Sequence, residues 1–188
     1  MKTRHLIFIG LALVGPGACT TASDRYAVPA VEVAQQQRIA FRSVEVREVS
    51  LPAYAASDEI TTQAEDGRLA SAGNVLWADT PGRAVALELS RHLAQITGAR
   101  VASAPWPFET FADAMLDVRF ERLVAGADGQ FRATGQYFVG VTDGRRERSG
   151  FFDLTVPFDP AAGPGAIAAA RGQIVADLAA FVARDGLR

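Results

Sequence analysis

Along residues 114–124 hydrophobic and polar side chains alternate. Met115, Asp117, Arg119 and Glu121 fall on one side, and Leu116, Val118, Phe120 and Arg122 fall largely on the other. A period of two marks a strand with one face on a core. Residues 130–141 and 147–156 extend the pattern, with Asp128-Gly129 and Asp143-Gly144 as hairpin turn signals between the runs. These three runs predict an antiparallel meander. Upstream, residues 38–51 read as a strand, because Ile39, Phe41, Val44, Val46 and Val49 are β-formers in partial alternation. Leu51-Pro52 closes it, since proline has no N–H for a ladder. Short strands are expected at 58–62 and 68–70 around Asp66-Gly67, followed by the apolar segment Val75-Leu76-Trp77-Ala78, where Trp77 reads as a core anchor.

The period changes at residue 81. Val85, Leu89, Leu93 and Ile96 recur at helical spacing, Asp79 or Thr80 can cap the start, and Pro81 sits where a missing N–H costs little. Gly98 then serves as the C′ residue. A Gly/Pro/Ala-rich loop at 159–165 precedes a second helix over 166–184, with Ile167, Ala170, Ile174, Leu178 and Phe181 as its buried stripe. The fold class expected is α/β (α+β-like), a mixed, largely antiparallel sheet of about five strands flanked by two amphipathic helices. No internal repeat is visible.

The chain's start follows another pattern. Lys2 and Arg4 precede an unbroken apolar run at 6–14, then Gly15-Pro16-Gly17-Ala18 leads into Cys19. This is the layout of a secretory signal peptide, and the run is shorter than the roughly 20 residues of a spanning helix. Cys19 is the only cysteine, so it has no partner within the chain for a disulfide. Its position resembles a bacterial lipobox, with Pro16 where leucine is usual, and implies a diacylglyceryl group on Cys19. Two or more acyl chains give stable anchoring. Thr20, with no aspartate after the cysteine, favours the outer membrane by resemblance to enterobacterial sorting.

The organisation expected is a signal peptide over 1–18, a lipidated tether over 19–37 and one periplasmic domain over 38–188. Lys2 and Arg4 leave with the signal, so 19 basic side chains fall to 17 against 21 acidic ones. A charge of about −4 argues against nucleic acid as a partner.

Catalytic chemistry is thinly represented. His92 is the one histidine left after residue 18, and it reads as a partly exposed helix residue. With Cys19 acylated, no His/Cys metal cluster can form. There is no G-x-S-x-G elbow, P-loop or H-E-x-x-H. Asp113, Asp117 and Glu121 share one strand face at spacings of four, which reads as a solvated face with cross-strand ion pairs rather than as a paired-carboxylate site. No catalytic residue, metal or cofactor is expected. Two segments stand out as contact candidates. One is the proline-stiffened loop carrying Trp106, Phe108 and Phe111, which either presents aromatics to a partner or tucks them over the core. The other is the hairpin tip with Arg145 and Arg146.

Several of these motifs, in order, resemble the auxiliary lipoproteins of MCE-type ABC lipid transporters, the PqiC/YmbA-like group. Tyr26-Ala27-Val28-Pro29 matches that family's tyrosine–proline opening, residues 44–54 (VEVREVSLPAY) its strand ending in Leu-Pro-x-Tyr, and Leu76-Trp77-Ala78-Asp79-Thr80-Pro81 its Trp-Ala-Glu helix opening. Asp79 stands where Glu is common, and Leu76 where Arg is frequent. The resemblance implies a non-enzymatic, homo-oligomeric ring on the outer membrane that docks the tunnel of a periplasmic MCE-domain protein. Apart from Cys19 it supplies no site residues. The alternatives are a lipid-carrier lipoprotein or an envelope-assembly factor acting on its own, and an envelope enzyme built on Asp113, Asp117 or Glu121.

Overall fold

The thirteen-residue strand β6 (Ala114–Gly126) organises the molecule, and the computed structural model describes residues 22–33, 36–142 and 144–188 around it. One edge of β6 pairs antiparallel along its length with β7 (Gln130–Val141), which pairs in turn with β8 (Arg148–Pro157). The other edge is shared. Near its start β6 takes β2 (Ser43–Val46) in parallel, and near its end it takes β3 (Glu59–Gln63), also in parallel. Beyond β2 lies β5 (Arg100–Ser103), parallel to it. Beyond β3 lies β4 (Leu69–Trp77), antiparallel to it, and then β1 (Asp24–Tyr26), parallel to β4. The sheet thus has eight strands and forks at β6.

The meander is where alternation predicts it, with Gly129 and Gly144 at φ 74° and 67° in its two turns. Asp143 of the second turn lies outside the described residues. Two features break the simple pattern. A bulge between Phe120 and Arg122 shifts the phase, so Glu121 and Arg122 are both exposed and Leu123 and Ala125 turn inward to the core. Gly135 then sits between Phe120 and Phe152, whose rings meet edge to face at 5.3 Å.

The helices α2 (Pro81–Thr97) and α3 (Pro164–Asp185) pack on each other and on one face of the sheet. Pro81 and Pro164 lie in the first turns, where a missing N–H is harmless. Thr80 occupies the N-cap position of α2 without a side-chain bond. Asp79 accepts the Thr80 N–H at 2.8 Å and pairs with Arg83. Gly98 is left-handed at φ 67° and donates to Ala94 O, ending the helix as the C′ glycine should. Val85, Leu89, Leu93 and Ile96 are completely buried. Helix α3 has a mean hydropathy of 1.5, enough by length and composition to cross a membrane, but 67% of that window is buried against the sheet and α2. It is a core helix. A single turn, α1 (Ala53–Ala56), completes the helices, and a 3₁₀ turn at Pro160–Ala162 leads into α3.

The expected five strands become eight for identifiable reasons. β5 is four residues of Arg-Val-Ala-Ser with no amphipathic period, and it exists through its parallel pairing with β2. β4 is one nine-residue strand rather than two short segments, although its register against β3 breaks between Ser71 and Leu76, around Gly73-Asn74. The strand expected over 38–51 forms a continuous ladder only at 43–46, with an isolated parallel bridge from Ser50 to Arg119, and Phe41 and Val49 on either side are buried. Residues 24–33, placed in the tether by their weak periodicity, contribute β1, and Val28 and Val33 pack against the core.

Candidate functional site

The register brings one set of strand ends together. Val44 lies beside both Val101 and Ala114, Ala114 lies opposite Val141, and Val139 lies opposite Arg148. The 98–99 turn, the end of the 104–113 loop and the 142–147 loop therefore meet residues 40–42 at one pole of the domain. Helix α3 reaches the same pole, where Ala40 N–H donates to Leu187 O and Arg148 Nε donates to Arg188 O.

Trp106 and Phe108 contact each other edge to face at 4.9 Å. The Trp106 Nε1–H donates to Thr110 O at 2.6 Å and its backbone N–H donates to Glu45 Oε1. The Arg100 guanidinium lies 4.9 Å from the Phe108 ring centre, a cation–π contact. Phe108 remains 43% exposed and Phe111 87% exposed. Asp113 accepts the Arg42 backbone N–H at 2.8 Å, faces its guanidinium at 3.6 Å, and donates its own N–H to Ser43 Oγ. Two open hollows, of about 540 and 560 Å³, flank Phe111. Arg42 and Asp113 border both; Arg145 and Arg146 wall the first, and Arg100 walls the second. Arg146 is the one non-glycine among the described residues with a positive φ, 64°.

The five contact residues singled out from sequence, Trp106, Phe108, Phe111, Arg145 and Arg146, thus come to one pole from two loops. They divide by role. Trp106 is tied into its loop, while Phe111 projects. Cys19 lies outside the described residues.

The other candidates do not assemble. Asp113 belongs to Arg42, Asp117 pairs with Arg119 at 3.0 Å within the same strand, and Glu121 accepts from Gln136 Nε2 at 2.9 Å on β7. The ion pair expected across strands runs along one instead. Among the described residues, no group of three or more His, Cys, Asp or Glu is placed to hold a metal ion. His92, expected to be partly exposed, is 1% exposed, and its Nδ1 has no partner. Burial drives its pKa below the ordinary imidazole value; nearby Arg91 adds to the fall, and a hydrogen bond with Gln95 opposes it.

One constellation escaped sequence reasoning. Arg171, in the middle of α3, is 2% exposed; its Nη2 donates to Glu88 Oε1 of α2 at 2.8 Å, and its guanidinium lies over the Trp77 ring. Burial pushes the Glu88 carboxyl up and the Arg171 guanidinium down, and each charge draws the other back. The available signal was an arginine four residues after Ile167, inside the helix's apolar stripe.

The site is therefore a surface rather than a cleft, carried by a mixed sheet with both long helices on one face. Residues 26–183 match the sequence model of the ABC-type transport auxiliary lipoprotein component family, and the chain belongs to that family. Two solved structures share the fold. A crystal structure of an uncharacterized protein is 20% identical, with a TM-score of 0.67 over 85% of this chain and 97% of that one. A Xanthomonas campestris protein is 20% identical, with a TM-score of 0.64 over 86% and 93%. The sequence matches no curated protein.

Proposed function

We propose that this chain is the outer-membrane lipoprotein subunit of an MCE/ABC-type lipid transport system. In this reading an acylated Cys19 holds it on the periplasmic face, and a homo-oligomeric ring docks the tunnel of a periplasmic MCE-domain protein. Membership of a transport auxiliary family over residues 26–183 carries the reading. The signal-peptide and lipobox pattern ending at Cys19 adds the anchor. The working surface we assign is the pole of Trp106, Phe108, Phe111, Arg145 and Arg146. A self-sufficient carrier would need an enclosed apolar cavity of a few hundred Å³. The sheet–helix interface is instead filled by side chains such as Leu89, Leu93, Leu116 and Ile174, each at most 1% exposed.

The test is a pull-down from solubilised envelopes with the wild type and a Cys19→Ala form, read by mass spectrometry. Recovery of an MCE-domain protein, with acyl mass present only in the wild type, supports the reading. An acylated chain recovered without any MCE-domain partner overturns the transport assignment and leaves the anchor.

A further inference from the structure

We infer that the pole around Phe111 is a binding surface for an anionic phospholipid membrane, with Arg42, Arg100, Arg145 and Arg146 taking headgroup phosphates and Phe111 entering the hydrocarbon. From the proposed function this takes only the location of the working surface. Phe111 is the most exposed large hydrophobic side chain described, at 87%. An apolar ring held in water loses the benefit of burial, and no other part of the described chain covers it. Among the described residues, the charged side chains walling the two hollows beside it are four arginines and one aspartate. Glu109 and Glu147 are exposed on the same loops but wall neither hollow.

A projecting ring inside a collar of guanidinium groups matches the layering of a bilayer leaflet, phosphates outside and acyl chains within. The guanidinium fork suits phosphate oxygens bidentately, and each hollow exceeds 500 Å³, room enough for a headgroup. An acidic protein segment would satisfy the arginines equally well. It would more naturally meet a pocket that receives its anchors than a phenyl that protrudes. The 104–113 loop is tied before contact: Trp106 is bonded to Thr110 and Glu45, and Arg100 is stacked on Phe108. That loop has little ordering to offset on binding.

The test uses the chain from residue 19 onward carrying Cys19→Ala, so that no acyl group contributes. It is mixed with vesicles of phosphatidylcholine alone, or of phosphatidylcholine and phosphatidylglycerol in equal parts, and followed by co-sedimentation and tryptophan emission. We expect binding to the phosphatidylglycerol vesicles only, weakening as salt rises. Arg42→Glu combined with Arg145→Glu should lower the partition coefficient at least about tenfold. Phe111→Ser should lower it about tenfold without changing the unfolding midpoint. Equal sedimentation with both vesicle types overturns the inference, as does indifference to the arginine reversals. Displacement by polyglutamate together with indifference to Phe111→Ser overturns it too, and identifies an acidic protein surface instead. Capture of an MCE-domain protein is a separate readout, so either proposal can fail while the other stands.

Discussion

The guanidinium of Arg171 lies 4.6 Å from the centre of the Trp77 ring, sealed between α2, α3 and the sheet. Its charge is answered by Glu88, 12% exposed at the side chain, while Arg171 Nε and Glu88 Oε2 have no partner. Breaking a buried ion pair from one side leaves an uncompensated charge, at a cost of about 3–5 kcal/mol, whereas replacing both members with apolar groups is often close to neutral. Arg171→Met or Glu88→Leu alone should each lower stability by about that much. The double variant Arg171→Met with Glu88→Leu should be more stable than either single one. Urea unfolding of the four proteins measures this, and a double variant as unstable as the sum of its parts would sink the idea.

Gly135 is the most tightly enclosed glycine of the sheet. A Cβ there would lie 2.1 Å from Arg119 O and 2.9 Å from Phe120 Cα, both main-chain atoms that cannot swing aside. The ring of Phe152 closes the same space at 2.8 Å. Gly135→Ala should therefore part β6 from β7 and cost about 3 kcal/mol or more, the upper range of overpacking. Thermal melting checks it, and a loss below about 1 kcal/mol would show that the strands yield more easily than this packing implies.

What could be read from sequence depended on how local the determining interactions are. The α2 boundaries were legible because Pro81, the Val85–Leu89–Leu93–Ile96 spacing and Gly98 act within a single segment. The β6–β7–β8 meander was legible because alternation and two Asp-Gly turns coincide. β1 and β5 were not, since three or four residues become a strand only when a parallel neighbour supplies the hydrogen bonds. The bulge at Glu121 left no trace in composition, so Arg122 was assigned to the wrong face. At the pole, the aromatics and paired arginines were visible as residue types. That the 104–113 and 142–147 loops meet depends on Ala114 facing Val141, a pairing 27 residues apart in sequence. Arg171 was missed and His92 misplaced for one reason. A polar residue in an apolar stripe is placed by the stripe, and its partner lies on another element or is missing.

At Gly172 the atom nearest to an added Cβ belongs to a side chain, with backbone farther off. A Cβ there would meet Val28 Cγ1 at 2.7 Å and Pro29 O at 3.3 Å, where residues 28 and 29 lie on α3. Gly172→Ala should cost only about 1 kcal/mol, because Val28 can turn and helix propensity improves. Its effect should concentrate in that segment, as faster hydrogen exchange or proteolysis near residues 28–33 with α3 protection unchanged. Equal loss of protection across α3 would show that this segment is integral to the core.

His92 gives the fold a pH dependence whose sign follows from its burial. The folded imidazole is held neutral below its ordinary value of 6.5, while the unfolded chain takes up a proton there. The contribution is complete above about pH 6.5 and is lost as pH falls toward the depressed folded pKa. One proton sets the limit, about 1.4 kcal/mol per pH unit. Between pH 7.5 and pH 5 the wild type should therefore lose stability, and His92→Gln, which cannot ionise, should show a flatter profile even if its stability at neutral pH is lower. Denaturation midpoints across this range decide the matter. Parallel profiles would mean that the buried ring accepts a proton as readily in the folded chain as in the unfolded one, through rearrangement around its unpartnered Nδ1.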